Sequence, residues 1–353
     1  MLLLTLLLTF SLDFRGIWIP RWSIDDHQNI FATLDGRFNH IFLQVFALGE
    51  AYYPSSLVPV RKQDDQWLRD FLIEAHRRGI KVSAWLNVFY SWGYAPRTRD
   101  MRHPINLHPN WYVEDREGRS ILSYSIEELE NRGIEGYYLT PANTMVRGHI
   151  YNIVDEILDL YDFDGVHLDY IRYPARRFNN DVAIRSRFMR EFGVDPSDLS
   201  SAGFEQRFGI WGSEDLERRL QELVRGDLSD FVQMLGTRVR RKRPHVMVSV
   251  AVKADCQSAG TDYYQDWSRW VNEDIVDFVC LMAYSRNIGN ILNKTLRAVN
   301  DPRKITVGLG IYRLSTEQIA AQVEQVAALP FSGVVFFSYE ELRKNTSYLQ
   351  TLH

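Results

Sequence analysis

The sequence has little of several features that mark common classes of protein. Only two of its 353 residues are cysteines, Cys256 and Cys280, too few for the disulfide framework of a small secreted domain. The two lie at the ends of neighbouring predicted strands, which leaves a disulfide between them open, but we expect buried thiols. No spacing of Cys and His resembles a zinc site, and we predict no cofactor.

An excess of charge of one sign is also lacking. The formal net charge is -4 and the isoelectric point is near 6.2. A polyanion such as nucleic acid is therefore not expected as the main ligand.

No stretch is long and apolar enough to span a bilayer, so we expect no integral membrane segment. Residues 1–10 are nearly all Leu, Thr and Phe, like the apolar part of a signal peptide. No Lys or Arg precedes this run and no clear cleavage site follows it before Arg15, which leaves a first strand or a hydrophobic plug as the alternative. We expect an exported protein, cytoplasmic if the run is not a signal. Residues 1–14 would then be a signal peptide or apolar segment, and 15–353 one domain.

A regular alternation of short apolar runs and helical stretches fills most of the chain, which is typical of βα units and a parallel sheet. The predicted strands are 16–20, 40–46, 81–88, 165–170, 246–252, 278–284, 305–311 and 333–338. The predicted helices are 64–78, 146–161, 215–242, 263–272, 290–299 and 316–329. Eight such units predict an α/β fold of the (β/α)8 TIM-barrel type. An open doubly wound sheet is the alternative, but no Gly-rich phosphate turn follows the first strand.

Two predicted connections, 89–145 after the third strand and 173–214 after the fourth, are unusually long. Loops of this length are usually functional or disordered, and their aromatic residues argue against disorder. Aromatic residues make up 13% of the chain, and aromatic faces can stack on sugar rings. We therefore predict that Trp92 and Trp111 of the first connection stack on a ligand.

The segment FDGVHLDYIRYP, at 163–174, predicts a buried strand that ends among ionisable groups. Because side chains alternate along a strand, His167 and Asp169 share one face. Polar groups on the inner face of an apolar strand are costly unless they are paired or used, and catalytic groups of barrels lie at the carboxyl ends of the strands. Asp169 is thus the first catalytic candidate. A buried pair of Asp169 with Arg172 that only shapes the loop is the alternative.

Several motifs follow one another in an order that resembles a known family. They are RGIWI (15–19), HIFLQV (40–45), AYYPS (51–55), EAHRRGIKVSAWLN (74–87), PAN (141–143) with VR (146–147), the 163–174 segment, DWSRWV (266–271), DFVCLMAY (277–284), GLGIY (308–312) and VFFSYE (335–340). The chain resembles the glycosyl hydrolase-like family ten of bacterial barrel proteins from about Arg15 to Leu342. The resemblance implies a TIM barrel with glycosidase-type activity. Some members are envelope enzymes that cleave peptidoglycan glycan strands stripped of their stem peptides.

The strand motif also resembles the Asp-Gly-x-Asp-x-Asp-x-Glu strand of chitinase-type barrels. Asp164, Gly165 and Asp169 keep its register, whereas His167 replaces an Asp and Ile171 stands where the catalytic Glu belongs. We therefore do not expect the substrate-assisted mechanism of chitinases.

Glycoside hydrolysis usually needs a second carboxyl group across the scissile bond. Glu340 follows the eighth predicted strand and Asp255 follows the fifth, so either could serve as the general acid beside Asp169. We favour Glu340, because Glu has the longer reach and burial readily raises its pKa. Arg172 could pair with Asp169 and keep it ionised, which is consistent with a nucleophile or an electrostatic role for Asp169.

Other residues at the ends of predicted strands are expected to line the same cleft and bind substrate. They are Arg15, Trp18, Gln44, Trp85, Asn87, Trp92, Trp111, His167, Arg172, Tyr173, Lys253, Tyr284 and Tyr312. Trp85 could equally be barrel core.

The sequence thus predicts a glycoside hydrolase that acts on a polysaccharide, with N-acetylated glycans such as peptidoglycan glycan strands among the candidate substrates. A glycan-binding barrel without catalysis is one alternative, since the chitinase Glu is replaced. A metal-dependent hydrolase that uses His167 and Asp169 is another, but it needs three or four convergent ligands.

Overall fold

A closed β-barrel forms the centre of the computed structural model, which describes residues 12–352. Its strands, in chain order, are β1 (Phe14–Ile19), β2 (His40–Ala47), β3 (Glu50–Ala51), β4 (Lys81–Asn87), β5 (Tyr90–Trp92), β6 (Tyr137–Tyr138), β7 (Gly165–Asp169), β8 (Met247–Lys253), β9 (Phe278–Met282), β10 (Ile305–Gly310) and β11 (Gly333–Phe337). Eight parallel strands pair in the order β1, β11, β10, β9, β8, β7, β4, β2, and the pairing of β2 with β1 closes the ring. The predicted TIM barrel is confirmed, and the open sheet is wrong.

The barrel strands are buried on both faces, which explains why they read as continuous apolar runs. On β7, Val166 and Leu168 point outward into the main core beneath the helices, whereas His167 points inward. The barrel interior is filled by a separate cluster of Trp18, Phe42, Trp85, Ala251, Phe278, Cys280 and Val335. The barrel is therefore packed through its lower part, and only its mouth can hold a ligand.

Helices follow the strands and cover the outside of the barrel. They are α1 (His27–Leu34), α2 (Gln66–Arg77), α3 (Pro104–Leu107), α4 (Ile126–Glu130), α5 (Thr144–Leu160), α6 (Val182–Phe192), α7 (Ala202–Lys242), α8 (Cys256–Asp262), α9 (Trp267–Asn272), α10 (Gly289–Ala298), α11 (Thr316–Ala327) and α12 (Tyr339–Lys344). Short 3-10 helices occupy Arg21–Asp26, Pro109–Trp111, Ile121–Ser123, Pro196–Ser200, Pro302–Lys304 and Thr346–Thr351.

The helix predictions differ from the structure mainly at their ends. Helix α7 begins well before the predicted start at 215 and is interrupted at Gly209, whose φ of 72° and ψ of 166° are not helical. The predicted helix 263–272 is helical only over α9, because Tyr264 adopts a left-handed φ of 59°. These departures depend on local backbone geometry that the apolar periodicity does not record.

Both long connections are folded. The first carries the antiparallel pair of β5 and β6 together with α3 and α4. The second carries α6 and the first part of α7. The aromatic residues of the first connection pack into or against the main core, as do Phe178 and Phe188 of the second, whereas Phe208 and Trp211 are exposed. The packed rings agree with the argument against disorder.

Neither cysteine of the described chain is bridged. Cys280 is buried and its Sγ accepts a hydrogen bond of 2.9 Å from Thr306 Oγ1, whereas Cys256 is partly exposed. Two buried thiols were expected, so that prediction holds for Cys280 alone.

The segment at 1–14 predicted to be a signal peptide falls mostly on residues outside the described range, and export stays a prediction. Within residues 12–352, no helix combines the length and the apolar character that a membrane crossing requires.

Candidate active site

A pocket of about 700 Å³ opens at the carboxyl ends of the barrel strands. It is lined by the last residues of five strands, Asn87, Asp169, Lys253, Met282 and Phe337. Its size is that of a typical small-ligand site, and its position is where barrels carry their chemistry. Nine of the predicted site residues meet there, namely Trp18, Gln44, Trp85, Asn87, Asp169, Arg172, Lys253, Tyr284 and Tyr312.

Asp169 is the last residue of β7 and is only 7% exposed. Its Oδ2 accepts a hydrogen bond of 3.1 Å from Trp85 Nε1, and its Oδ1 accepts one of 2.7 Å from the backbone N–H of Tyr170. Burial raises the pKa of Asp169, and the nearby Arg172 and these two hydrogen bonds offset that effect only in part. Asp169 therefore holds a proton more readily than an ordinary aspartate.

The turn after Asp169 is held by aromatic and cationic contacts. Tyr170 has a left-handed φ of 53°, which is costly for a residue with a Cβ and needs support from its surroundings. The ring of Tyr170 stacks on Tyr90 with centroids 4.5 Å apart, and the Arg172 guanidinium lies 4.6 Å from the Tyr170 ring centre. These contacts fix the backbone that carries Asp169.

A second carboxyl group, Glu135, lines the same pocket and was missed by the sequence analysis. It lies in the first long connection, just before β6. Its Oε1 accepts a hydrogen bond of 2.9 Å from Arg172 and lies 3.9 Å from Lys253 Nζ, and its Oε2 accepts one of 2.9 Å from the Tyr138 hydroxyl. Burial alone would raise the pKa of Glu135, but Arg172 and Lys253 outweigh it, and the pKa lies below its ordinary value. Glu135 is therefore ionised.

No local pattern sets Glu135 apart in the sequence. It is one of eight Asp and Glu residues in the connection 89–145, and its approach to the barrel depends on how that connection folds. Arg172 was expected to pair with Asp169, but its ion pair is with Glu135.

The structure places Glu340 outside the pocket, which corrects its assignment as the general acid. Glu340 lies in the first turn of α12, where its carboxylate is 2.8 Å from Arg343 Nε and 3.4 Å from Lys344 Nζ. The hydrogen bond from Arg343 lowers the pKa of Glu340. A general acid requires the opposite shift.

Asp255 is corrected for a similar reason. It is the N-cap of α8 and accepts hydrogen bonds from the backbone N–H groups of Gln257 and Ser258. Lys294 Nζ lies 2.5 Å from its Oδ2, and this contact lowers the pKa of Asp255. Asp255 is a structural capping residue in this arrangement.

Three further predicted binding residues lie outside the pocket. Arg15 is at the start of β1, where its side chain donates to the carbonyl of Leu12 at 2.9 Å and to that of Arg37 at 2.8 Å. Tyr173 is buried edge-to-face against Tyr264. His167, on the same strand face as Asp169, lies deeper in the barrel.

His167 is held neutral by its surroundings. The indole N–H of Trp18 can only donate, so its 3.1 Å contact assigns His167 Nε2 as an acceptor and leaves the proton on Nδ1, 2.9 Å from Ser249 Oγ. Burial lowers the pKa of His167 well below its ordinary value. Both ring nitrogens are thus engaged, and within residues 12–352 no three His, Cys, Asp or Glu side chains gather as metal ligands.

Trp92 and Trp111 are packed inside the first connection and do not line the pocket. Trp92 is 4% exposed and its Nε1 donates to the carbonyl of Ala95 at 3.0 Å. Trp111 is 7% exposed and stacks on His108 with ring centroids 3.8 Å apart. The sequence identified an aromatic connection, but these rings form its core.

Other aromatic rings line the pocket mouth. Trp22 and Tyr312 are 56% and 41% exposed, and both belong to the pocket lining. Deeper in the pocket, Tyr284 packs against Phe337 with ring centroids 5.5 Å apart. Trp22 lies three residues after the end of β1. An aromatic residue so soon after a barrel strand is a signal that could have placed it at the mouth.

Two amide side chains add neutral hydrogen-bonding groups. Gln44 Nε2 donates to Asn87 Oδ1 at 3.0 Å, and Gln44 Oε1 accepts from the backbone N–H of Arg21 at 3.1 Å. The amide N–H groups of Asn87 donate to no other residue within 12–352 and remain donors for a ligand oxygen.

Comparison with solved structures agrees with the barrel fold. Solved structures of similar fold include the catalytic domain of a β-amylase from Paenibacillus polymyxa, with a TM-score of 0.58 and 13% identity over 97% of this chain and 98% of that one. A chitinase from Cycas revoluta aligns with a TM-score of 0.55 and 11% identity over 96% of this chain and 100% of that one. At these identities the likeness concerns the fold.

Relatives in sequence are named glycosyl hydrolases. The protein DigH of Escherichia coli K12 is 24% identical and covers 89% of this chain and 76% of its own length. YngK of Bacillus subtilis is 19% identical over 87% of this chain and 61% of its own length. The model of the family described as "Glycosyl hydrolase-like 10" matches residues 13–325 of this chain. These relationships support a glycosidase-like function, and the chain belongs to the glycosyl hydrolase-like 10 family.

Proposed function

We propose that the protein is a glycoside hydrolase that cleaves a polysaccharide, with Glu135 and Asp169 as its two catalytic carboxyl groups. One observation carries the proposal: both groups line one pocket, and their pKa values are shifted in opposite directions. Pairs of carboxyl groups whose surroundings separate their pKa values are the usual acid and base of glycosidases.

In this scheme Asp169 is the general acid. Its carboxyl proton passes to the glycosidic oxygen as the bond from that oxygen to the anomeric carbon breaks, so the leaving sugar departs as a neutral alcohol. The Trp85 indole N–H, 3.1 Å from Oδ2, then stabilises the carboxylate that remains. The sequence suggested that Arg172 keeps Asp169 ionised for a nucleophile or electrostatic role, and the role proposed here differs because burial outweighs the effect of Arg172 on the pKa of Asp169.

Glu135 is the group that acts on the anomeric carbon. As a carboxylate it either attacks that carbon or removes a proton from the water that does, and in both cases it starts negatively charged. Arg172 and Lys253 hold it in that form. If Glu135 attacks, the ionised Asp169 then takes the proton of the water that hydrolyses the bond between the sugar and Glu135. If Glu135 acts as a base, it takes the proton of the attacking water itself, and proton exchange with solvent returns both carboxyl groups to their starting states.

The substrate we propose is an N-acetylated glycan such as the peptidoglycan glycan strand. Support comes from the exposed rings of Trp22 and Tyr312, which offer faces for pyranose rings, and from the free amide donors of Asn87, which can bind an acyl or hydroxyl oxygen. A chitinase of similar fold was solved with an N-acetylglucosamine trimer.

The test is product analysis on purified glycan strands, with and without stem peptides, by mass spectrometry. We expect oligosaccharide products from the parent protein and none from Glu135→Gln or Asp169→Asn. NMR of the first anomer formed then shows whether configuration is retained or inverted. Glycan that binds with no product in any of these preparations would identify the protein as a glycan-binding barrel instead.

A further inference from the structure

The pocket carries more positive than negative groups, although the protein as a whole is acidic. Two carboxyl groups line it, Glu135 and Asp169, against four cations, Arg21, Arg172, Lys253 and Arg313. The formal net charge of the chain is -4. A local excess of the opposite sign in a concave site attracts and concentrates ligands of negative charge.

The four cations fall into two pairs that differ in whether they contact a carboxylate of the protein. Arg172 and Lys253 are committed to Glu135, at 2.9 Å and 3.9 Å. Arg21 and Arg313 form no ion pair with any residue of the stretch 12–352. The hydrogen-bond partners of the Arg21 side chain are neutral, namely Gln44 Oε1 at a long 3.4 Å and the Tyr52 hydroxyl.

Both uncommitted arginines are supported by aromatic rings at the pocket mouth. The guanidinium of Arg21 lies 5.0 Å from the ring centre of Trp22, and that of Arg313 lies 5.0 Å from the ring centre of Tyr312. A guanidinium packed on a ring keeps N–H donors available at its edge. Its planar fork matches the two oxygens of a carboxylate.

We propose that the pocket selects a saccharide that carries a carboxylate, and that Arg21 and Arg313 bind this carboxylate while Glu135 and Asp169 act on the neighbouring glycosidic bond. The proposal rests on the proposed function and adds the charge of the substrate to it. A carboxylate is planar and bidentate, and it would restore charge balance in a pocket whose other two cations already face Glu135.

Two kinds of sugar present this group. In a uronic acid the carboxylate is attached to the ring itself. In a lactyl-substituted hexosamine it ends an ether side chain, and it is free only when no peptide is joined to it through an amide. Selection for charge would therefore disfavour the amide form, which has lost the anion that the arginines bind.

The experiment compares one glycan with and without this charge, together with a second glycan that carries the charge on the ring. We would use a peptidoglycan tetrasaccharide with free lactyl carboxylates, the same tetrasaccharide with these groups converted to methylamides, and a hyaluronan oligosaccharide that carries ring carboxylates. KM and kcat are measured for hydrolysis, and calorimetry measures binding to Asp169→Asn so that affinity is known without turnover.

For the parent protein we expect KM to be lower by about tenfold or more for one carboxylate form than for the methylamide. The dissociation constant measured with Asp169→Asn should differ between the same two substrates in the same direction and by a similar factor. The preferred carboxylate form tells whether the lactyl or the ring source fits. Added salt should weaken binding of the acid form only. Arg21→Met and Arg313→Met should each remove most of the preference, measured as the ratio of the KM values for the carboxylate and methylamide forms.

Arg207→Met is the matched control, because Arg207 also lies over a ring, 5.3 Å from that of Phe208, but outside the pocket. It should leave the preference unchanged, and melting temperatures check that each variant folds. Equal KM and equal affinity for charged and neutral forms in the parent would overturn the inference while hydrolysis itself stands. Selective binding without any turnover would support the inference and overturn the proposed hydrolase function.

Discussion

Arg172 Nη2 donates a hydrogen bond of 2.9 Å to Glu135 Oε1, across 37 residues of sequence. Arg172 is 2% exposed and follows β7, whereas Glu135 belongs to the long connection after β4. The pair therefore attaches the folded connection to the barrel mouth and, in the same contact, keeps a carboxylate ionised in the pocket. Arg172 thus contributes to both the position and the charge of the proposed catalytic group, and Lys253 adds to the charge.

Glu135→Gln should reduce kcat on a glycan substrate by roughly 10²- to 10⁴-fold, the usual contribution of a positioned base or acid. Gln keeps the shape of Glu and an oxygen that can accept from Arg172, so we expect the melting temperature to change little. Glu340→Gln is the control, because that carboxylate pairs with Arg343 outside the pocket. Similar kcat losses in both variants would count against Glu135.

Asp169→Asn should show a leaving-group pattern, because a general acid matters most when the leaving sugar needs a proton. Hydrolysis of natural glycan should fall by at least about 10²-fold, whereas an activated aryl glycoside should be cleaved at close to the parental rate. Asp255→Asn, at a helix cap away from the pocket, should follow the parent on both substrates. If Asp169→Asn also follows the parent on glycan, the acid is another group.

The pH profile should be bell-shaped and centred on the acid side. Activity rises as Glu135 loses its proton, below its ordinary pKa because Arg172 and Lys253 outweigh the effect of burial. It falls as Asp169 loses its proton, above its ordinary pKa because that group is buried.

Lys253→Met tests this assignment, since it removes a cation that lowers the pKa of Glu135. The acid limb should then move to higher pH, with a smaller change in the alkaline limb. A profile of kcat/KM that keeps the parental acid limb would show that Glu135 does not set it.

Trp22→Ala and Tyr312→Ala should weaken cleavage of a long glycan more than cleavage of a small aryl glycoside. Both rings are exposed at the mouth, and binding away from the reacting bond is realised only by longer substrates. Trp211→Ala, whose side chain is 86% exposed and outside the pocket, should change neither. Trp111→Ala removes a core ring and should instead lower the melting temperature. If the melting temperature is unchanged and only cleavage of the long glycan is weakened, Trp111 is a stacking residue after all.

Stability should fall on acidification because of His40. Burial lowers the pKa of His40 from 6.5 to about 3, so the unfolded chain binds this proton at a higher pH than the folded one. The stability that His40 contributes is present above pH 6.5 and is lost as the pH falls toward about 3. A tenfold difference in proton affinity between the folded and unfolded chain corresponds to about 1.4 kcal/mol. Urea unfolding of His40→Gln should show a shallower decline over that range; parallel curves for the two proteins would exclude this linkage.

The sequence by itself determined the barrel and the place of Asp169. Strand period and helix period are local properties, so eight alternating units could be read directly. The alternation of side chains along β7 put Asp169 on the inner face at the strand end, and Trp85 and Asn87 followed from the same parity on β4. Residues that continue a strand into the mouth, such as Lys253, were found in this way.

Only the tertiary structure brings a second carboxyl group, Glu135, into the pocket of Asp169. Glu135 reaches the pocket because the long connection folds back through contacts far apart in sequence, above all with Arg172, and no local period encodes such contacts. The same folding turned Trp92 and Trp111 inward, since a connection of that length needs a core of its own. Glu340 and Asp255 do follow barrel strands, but their carboxylates form ion pairs with Arg343 and Lys294. Strand order could not predict this outcome, because an ion pair depends on distance in space.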